Sequence, residues 1–456
     1  MDSTISCLAA WMPRQRWYAG KGRAPHLAII GSWDLPSPSP GVVVRTYLVV
    51  DESALPIVLY QVPVVARATA DVEADAAHVI GDPEPGTTLI DGPHDPAYAN
   101  ALLALITTGT EAVGSGARAQ GFPAGAGAPL TAMRSAVLAG EQSNTSIVYR
   151  PAEEGAAAPI ICKVFRQLHG GRNPDIELQT ALAAAGSEHV PPAIGSIGGS
   201  WPDPMGRGEQ AGSLAFAQEF LPGVEDAWRV ALRAASSGED FTERAEQLGV
   251  ATAEVHLLLA GLFPPHEASE QDRAAVRAVW DRRLVTAVSE VPGIAARRAE
   301  IEAVYDRALQ HPWPALQRVH GDYHLGQVIL VPGRGWVLLD FEGEPLRPMA
   351  ERTRPDLALR DVAGMLRSFD YVGGSIRLDR PDHSVDAVTD WVAAARAAFL
   401  RGYAGAADVD LADVADLLNA LELDKAVYEV IYEARNRPTW TSIPRSAIGR
   451  IIDRPG

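Results

Sequence analysis

The stretch HGDYHLGQVILVPGRGWVLLDFEGE, residues 320–344, consists of two short apolar runs joined by a Pro-Gly turn, with polar residues gathered at both outer ends. Such runs read as an antiparallel hairpin. Closing it brings the start of the first strand beside the end of the second. Asp322, Gln327, Asp340 and Glu342 are therefore expected to converge. Phosphoryl transfer needs such a convergence: one carboxylate takes the proton of the attacking hydroxyl, while a carboxylate and an amide oxygen hold the Mg²⁺ that neutralises the nucleotide phosphates. The spacing, five residues from Asp322 to Gln327 and thirteen more to Asp340, matches a D-x-x-x-x-N loop followed by a metal-binding Asp, with Gln in place of Asn. Two other readings stay open. His320, Asp322 and His324 could ligate a transition metal, although no fourth ligand with zinc-like spacing follows. Asp322 could simply cap a turn. His320 is expected to serve as a structural donor to the backbone near Asp340.

Working outward, the chain has 456 residues, a length that calls for two or three domains. Its net charge of −17 opposes nucleic acid or an anionic membrane as the main partner. Cys7 and Cys162 are the only cysteines and lie far apart, which suits a reducing compartment. The N-terminal region lacks the apolar core of a signal peptide, and no run is long enough to span a bilayer, so a cytoplasmic protein is expected. Residues 112–130, rich in Gly, Ala and Pro, read as a flexible linker. Before it, RTYLVV (45–50) and PIVLYQVPVV (56–65) read as antiparallel strands and ANALLALITTG (99–109) as a helix, which together make a domain over 1–111. Residues 131–222 are rich in strand patterns. Residues 223–456 carry long helical ones. Sheet followed by helices is the order of a two-lobed kinase.

A kinase also needs a nucleotide cradle. AGEQSNTS (139–146) lies between two strand candidates, and Ser143, Asn144, Thr145 and Ser146 would offer hydroxyl, amide and backbone donors to phosphate, although a polar hairpin turn explains the stretch as simply. Lys163 stands in the apolar run ICKVF, where a charge is costly unless paired. Glu177, on the following helix, is the expected partner. The run SLAFAQEFLPG would connect the lobes, its backbone at Gln218, Glu219 and Leu221 facing an adenine edge.

Together, WMPRQRWYAGKGR (11–23), EQSNTS, NPDIEL, HGDYHLGQ, LDFEGEP, LRDVAGMLRSF (359–369) and YEVIYEARNRPTW (428–440) resemble the actinobacterial maltokinases and the maltokinase-like glucosamine kinases. The resemblance runs over nearly the whole chain. It implies an α+β, two-lobed protein-kinase-like fold of the aminoglycoside phosphotransferase type, with an N-terminal α+β cap domain. It also implies ATP and Mg²⁺ as cofactors and a sugar hydroxyl as acceptor. Carried over motif by motif, Asp322 is the catalytic base, Gln327 and Asp340 are metal ligands with Glu342 beside them, and Lys163 contacts phosphate.

Lys425, Glu429 and Glu433 recur every four residues and share a helical face with Tyr428 and Tyr432. Carboxylates bind sugar hydroxyls and aromatic rings stack on a pyranose, so Tyr428, Glu429, Tyr432 and Glu433, with Asp322, His324, Asp370, Asn436 and Trp440, are the expected sugar contacts. A surface helix with ion pairs such as Lys425 to Glu429 is the plainer alternative. Where maltokinases close with a W-L-P-I-P-L-like stretch, this chain has WTSIPR (440–445), which lacks a hydrophobic wall for a second glucose ring. The expected acceptor is glucosamine, phosphorylated at its primary hydroxyl. Maltose, phosphorylated at its anomeric hydroxyl, is the alternative, and a pseudokinase scaffold the non-enzymatic one. The Trp/Arg-rich 11–23 stretch would either pack the cap on its neighbour or dock a protein.

Overall fold

The structure, a computed structural model, describes all residues except 1–2, 38, 54–55, 74–76, 126–132, 139–142, 154, 156, 345–346, 381–383 and 455–456. By its internal contacts the chain divides into two compact units, residues 1–184 with 191–222, and residues 185–190 with 223–456.

The first unit contains two antiparallel sheets. In the N-terminal one the strands run in the order Leu27–Leu35, Val43–Asp51, Val58–Ala68, Thr87–Asp91, Val79–Glu84, and the two-residue strand Gln167–Leu168 pairs with Val58–Ala68. The two strands expected at 45–50 and 56–65 are neighbours here, with Thr46 opposite Pro63. The other sheet has seven strands, in the order Glu111–Val113, Arg118–Pro123, Ala193–Pro202, Glu209–Glu219, Ile160–Phe165, Asn144–Pro151, Met133–Val137. Its first strand overlaps the start of the 112–130 stretch expected to be a flexible linker and its second falls inside it, so that expectation is corrected; residues 126–130 lie outside the described ones. Small residues serve close packing there. Ala119 is fully buried, and a side chain on Gly121 would strike the carbonyl of Leu105 in the helix Pro96–Thr108.

The expected cap and the strand-rich segment thus lie in one unit, and their join is buried. Arg166, with no exposed surface, donates to both oxygens of Asp91 at 2.8 Å, donates to Thr145 Oγ1 at 2.8 Å, and lies 5.0 Å over the ring of Trp17. Gln61 donates its amide to the carbonyls of Phe165 and Leu214. Trp11, Met12, Trp17 and Tyr18 are buried together with Tyr60 in one apolar cluster. The aromatic residues of the 11–23 stretch therefore pack inward, and the docking alternative loses its anchors.

The second unit is built from helices around a small three-stranded sheet, Glu225–Asp226, Val328–Val331 and Gly335–Leu338. The last two strands form the expected hairpin, with Val328 opposite Leu338. Residues 185–190 return to this unit and cover the hairpin: Leu338 N–H donates to His189 O at 2.8 Å, and the Arg334 guanidinium donates to the carbonyls of Glu188 and Val190. Helix Ala358–Asp379 crosses Ala415–Asn436, and Val385–Ala407 lies along Thr242–Leu262. Gly249 and Gly402 permit that second pairing, since a side chain on either would strike the partner's backbone. Among the described residues, no helix is long and apolar enough to cross a membrane.

Candidate active site

In the first unit, Lys163 stands directly opposite Ser146 in the sheet. Cross-strand partners share a face, and alternation along the strand puts Asn144 on that face too. Thr145 therefore points to the opposite face, where it accepts from Arg166, so its expected place in the phosphate cradle is corrected to a join with the cap. Ser143 is exposed at the strand's start, and residues 139–142 of the expected cradle lie outside the described ones. Lys163 Nζ is 3.2 Å from Asp175 Oδ2, on the first turn of the helix Pro174–Ala184. Asp175 stands at this distance, two positions before the expected Glu177. Two positions along a helix turn the side chain by about 200°, and Asp175 is buried whereas Glu177 is half-exposed. Gln218 and Glu219 end the strand Glu209–Glu219, and Leu221 follows it half-exposed. The amide oxygen of Gln218 is buried with no hydrogen-bond partner among the described residues, and the Glu219 N–H bonds Pro192 O.

In the second unit the hairpin brings its two ends together. Leu339 N–H donates to Gln327 O at 2.9 Å, and Gln327 Nε2 donates to Asp340 Oδ2 at 3.2 Å. His320 bridges the same ends: its Nε2 lies 2.8 Å from Leu339 O, and its buried ring packs on Tyr323 and Phe341. That is the backbone bond expected of it. Asp340 has φ 65°, a left-handed conformation unusual for a residue with a side chain, and strain of this kind gathers where surrounding structure aims a functional group. Gly321, with φ 84°, passes so close to Gly343 that a side chain there would lie 3.2 Å from its Cα.

The loop is fixed from below by Asp361, on the helix Ala358–Asp379. Its buried carboxylate accepts the N–H groups of His320 and Gly321 at 2.8 and 2.9 Å, and lies 3.1 Å from His256 Nε2. Burial alone would raise this carboxyl, but His256, His320 and the Gly321 N–H keep it below its ordinary value. Asp361 was quoted in LRDVAGMLRSF without a role. A lone acid at the start of an apolar helix, with two unsatisfied loop N–H groups elsewhere, is a signal only the fold connects.

Asp322 Oδ1 lies 3.6 Å from Lys425 Nζ, which in turn lies 3.0 Å from Glu344 Oε1. Burial opposes the charge on Lys425, yet Glu344, Asp322 and Glu429 outweigh it and raise its proton affinity. Glu344 is itself held well below the carboxylate range: burial works against ionisation, but Lys425, Arg347 and Arg283 overcome it. The charges of Glu342, Asp322 and Asp340 all reach the half-buried guanidinium of Arg352, whose proton affinity burial lowers. His324 accepts the Gly326 N–H on Nδ1 at 3.0 Å, and burial keeps its ring on the neutral side.

The expected sugar residues lie on the same helix as Lys425, Ala415–Asn436. The ion pair of the plainer alternative, Lys425 with Glu429, is replaced by pairs that reach across to other elements. Arg367 donates to Glu429 Oε2 through Nε at 2.9 Å and Nη2 at 2.7 Å, and through Nη1 to Asp370 Oδ2 at 2.5 Å. Asp370 also meets Arg396 and Arg450. Three guanidinium groups already occupy its carboxylate, so its expected contact with sugar is corrected to support of Arg367. Burial raises the Glu429 carboxyl against the pull of Arg367. Glu433, 1 % exposed, accepts from Tyr371 at 3.0 Å and from Arg437 at 2.9 and 2.6 Å. Trp440 stacks on Tyr371 with ring centroids 6.3 Å apart, and the Arg437 guanidinium covers it at 4.5 Å. Tyr428 lies under Arg283 and Lys425. Tyr432 is exposed near Arg437, and Asn436 donates to Tyr432 O within its own helix.

Two family models match the chain: the maltokinase N-terminal cap domain over residues 11–95 and the phosphotransferase enzyme family over residues 138–415. A glucosamine kinase of Streptacidiphilus jiangxiensis is 32 % identical over 338 residues, covering 70 % of this chain and 73 % of that protein. A glucosamine kinase of Mycolicibacterium smegmatis (strain ATCC 700084 / mc(2)155) is 28 % identical over 256 residues, 53 % of this chain and 63 % of that one. In fold the chain is similar to a glucosamine kinase solved in complex with glucosamine, ADP and inorganic phosphate, with a TM-score of 0.68, 24 % identity and 98 % of each chain covered. The kinase-like fold with an N-terminal cap is thus shared end to end, and this chain belongs to the phosphotransferase enzyme family, in its maltokinase-like glucosamine kinase branch.

Proposed function

We propose that this protein transfers the terminal phosphate of ATP to the primary hydroxyl of glucosamine, giving glucosamine 6-phosphate. The observation that carries the reading is the closed hairpin that sets Gln327 Nε2 3.2 Å from Asp340 Oδ2, with the Asp340 backbone in a left-handed conformation and Asp322 in the loop that leads into the first strand.

Asp322 accepts the proton of the attacking hydroxyl, and Lys425 Nζ, 3.6 Å away, positions the carboxylate without sealing it from a substrate. Lys163, clamped by Asp175, presents a fixed positive charge to nucleotide phosphates. The backbone at Gln218, Glu219 and Leu221, at the end of the connecting strand, would face the adenine edge. Gln327, Asp340 and Glu342 offer oxygen donors only, the set that Mg²⁺ takes, and these residues would hold it. Bound there, Mg²⁺ neutralises charge on the transferring phosphate.

The relatives support an amino sugar, since both carry the name glucosamine kinase. Glu429 and Glu433 do not separate glucosamine from maltose: Arg367 already holds the first, and Arg437 with Tyr371 the second. The cap model is named for maltokinases, so maltose belongs in the test. ATP consumption should be followed with glucosamine, glucose, maltose and an aminoglycoside as acceptors, and the product located by NMR. Glucosamine should give the highest kcat/KM and phosphate on its C6 oxygen. A preference for maltose, or phosphate at an anomeric oxygen, would refute the assignment.

A further inference from the structure

Helices Ala358–Asp379, Val385–Ala407, Ala415–Asn436 and Ser442–Ile452 enclose a cavity of about 590 Å³ that no residue of the catalytic loop lines. Arg377, Arg396, Arg450 and Arg454 line it together with Asp370 and Glu422. Four guanidinium groups against two carboxylates leave an excess of positive charge, in a chain whose overall charge is −17.

The two carboxylates do not saturate these groups. Glu422 accepts from Arg396 Nη2 at 2.8 and 3.0 Å and from Arg450 Nη2 at 3.0 Å, and lies 3.6 Å from Arg454 Nη1. Asp370 accepts from the same Nη2 of Arg450 and lies 3.3 Å from Arg396 Nη1. A guanidinium has five N–H donors, and among the described residues Arg450 uses those of Nη2 alone. Arg377 pairs with no carboxylate among the described residues. Arg450 and Arg454 keep 37 % and 36 % of their side-chain surface exposed, so both remain reachable. Burial and the nearby Arg396 and Arg454 lower the proton affinity of Arg450, a repulsion that an added anion would relieve. Beneath the charges the wall is apolar, formed by Val392, Leu418 and Ile443, with Ala393 and Ala397 leaving open space on the Val385–Ala407 helix.

We propose that this cavity binds a small organic anion, a phosphate or carboxylate head group on an apolar body, at a site distinct from the catalytic loop. Guanidinium groups bind either head bidentately. The cavity volume falls in the range of small-molecule pockets, and its apolar wall matches the body of such a ligand. Asp370 links this site to the sugar residues, because it bonds both Arg450 here and Arg367, which grips Glu429. An anion that draws Arg450 from Asp370 loosens that grip, so its occupancy alters KM for the sugar more than kcat. This last step rests on the proposed function. The binding itself does not.

Titration calorimetry of the full chain, without ATP or sugar, tests the site with phenyl phosphate, phenylacetate and inorganic phosphate. At least one aryl anion should bind, and inorganic phosphate at least tenfold more weakly. The stronger aryl anion identifies the head group. The double variant Arg377→Gln/Arg454→Gln should weaken binding at least tenfold, with turnover in the absence of the anion unchanged. Ala397→Trp, at an exposed helix position, should block binding while leaving every charge in place. The site is refuted if neither aryl anion binds at about 10 mM, far above the range of specific ligands. It is equally refuted if both variants bind as the parent does, or if inorganic phosphate binds as tightly as the aryl anions.

Discussion

The helix Ala415–Asn436 carries two ion pairs, three residues apart, that are held in opposite ways. Glu422 has no exposed side-chain surface and meets Arg396 at 2.8 Å. Lys425 meets Asp322 at 3.6 Å with both side chains more than a fifth exposed. The first pair is short, dry and shared with Arg450 and Arg454; the second is long and open to solvent. A carboxylate that must take a proton from a substrate has to be reachable, and one that ties helices together must not be. On the proposed function, one element serves as brace at one turn and as part of the reactive face at the next.

If that contrast is right, the two pairs should respond to different measurements. Asp322→Asn should lower kcat by roughly 10²–10⁴-fold, the range for loss of a general base, while the melting temperature stays within about 2 °C of the parent. Near-normal turnover in that variant would remove Asp322 from the chemistry. Glu422→Ala should do the reverse. Stripping a buried carboxylate from its guanidinium partners costs about 3–5 kcal/mol, so thermal unfolding should begin roughly 10 °C earlier, and the surviving folded enzyme should keep its kcat within a few-fold. An unchanged melting curve would show that the brace does not hold the unit.

Lys425→Met lies between the two extremes and sharpens the distinction. Turnover should fall about tenfold, because the charge beside Asp322 is gone, and stability should fall modestly, because Glu344 keeps Arg283 and Arg347 as partners. A loss of stability with no loss of turnover would move Lys425 to the brace. The smallest effect is the pH response of Glu422. Burial works to raise its carboxyl, but Arg396, Arg450 and Arg454 lower it to about 2, against an ordinary 4.5. A folded value below the unfolded one stabilises above the unfolded value and is lost as pH falls through the folded one. The melting temperature should therefore hold steady down to about pH 5 and drop between about pH 4.5 and 2. Glu422→Gln should flatten part of that drop.

Local sequence pattern carried the hairpin and its polar ends, because strand, turn and strand are contiguous from Val328 to Leu338. His320 was expected to bond the backbone near Asp340 for the same reason, and its Nε2 meets Leu339 O. What lay beyond reach depended on side-chain direction or distant partners. Asp175, which meets Lys163, was not singled out, because nothing local separates it from Glu177 two positions later. Thr145 carried the chemistry of a phosphate contact, but strand alternation turned it to Arg166. Asp370 looked available until three arginines from three helices converged on it. Gly and Ala at 112–121 suggested flexibility, whereas their small size serves close approach of a strand to a helix. Composition cannot tell those two uses apart.

Residues 185–190 cover the hairpin of the second unit although they lie between strands of the first. A gene fragment starting at Gly223 would leave the carbonyl acceptors of Arg334 and Leu338 behind, so the helical half is poorly suited to separate expression. During synthesis the hexapeptide leaves the ribosome 146 residues before Arg334 emerges to meet Glu188. The cover of the second unit's hairpin is therefore made well before the hairpin itself.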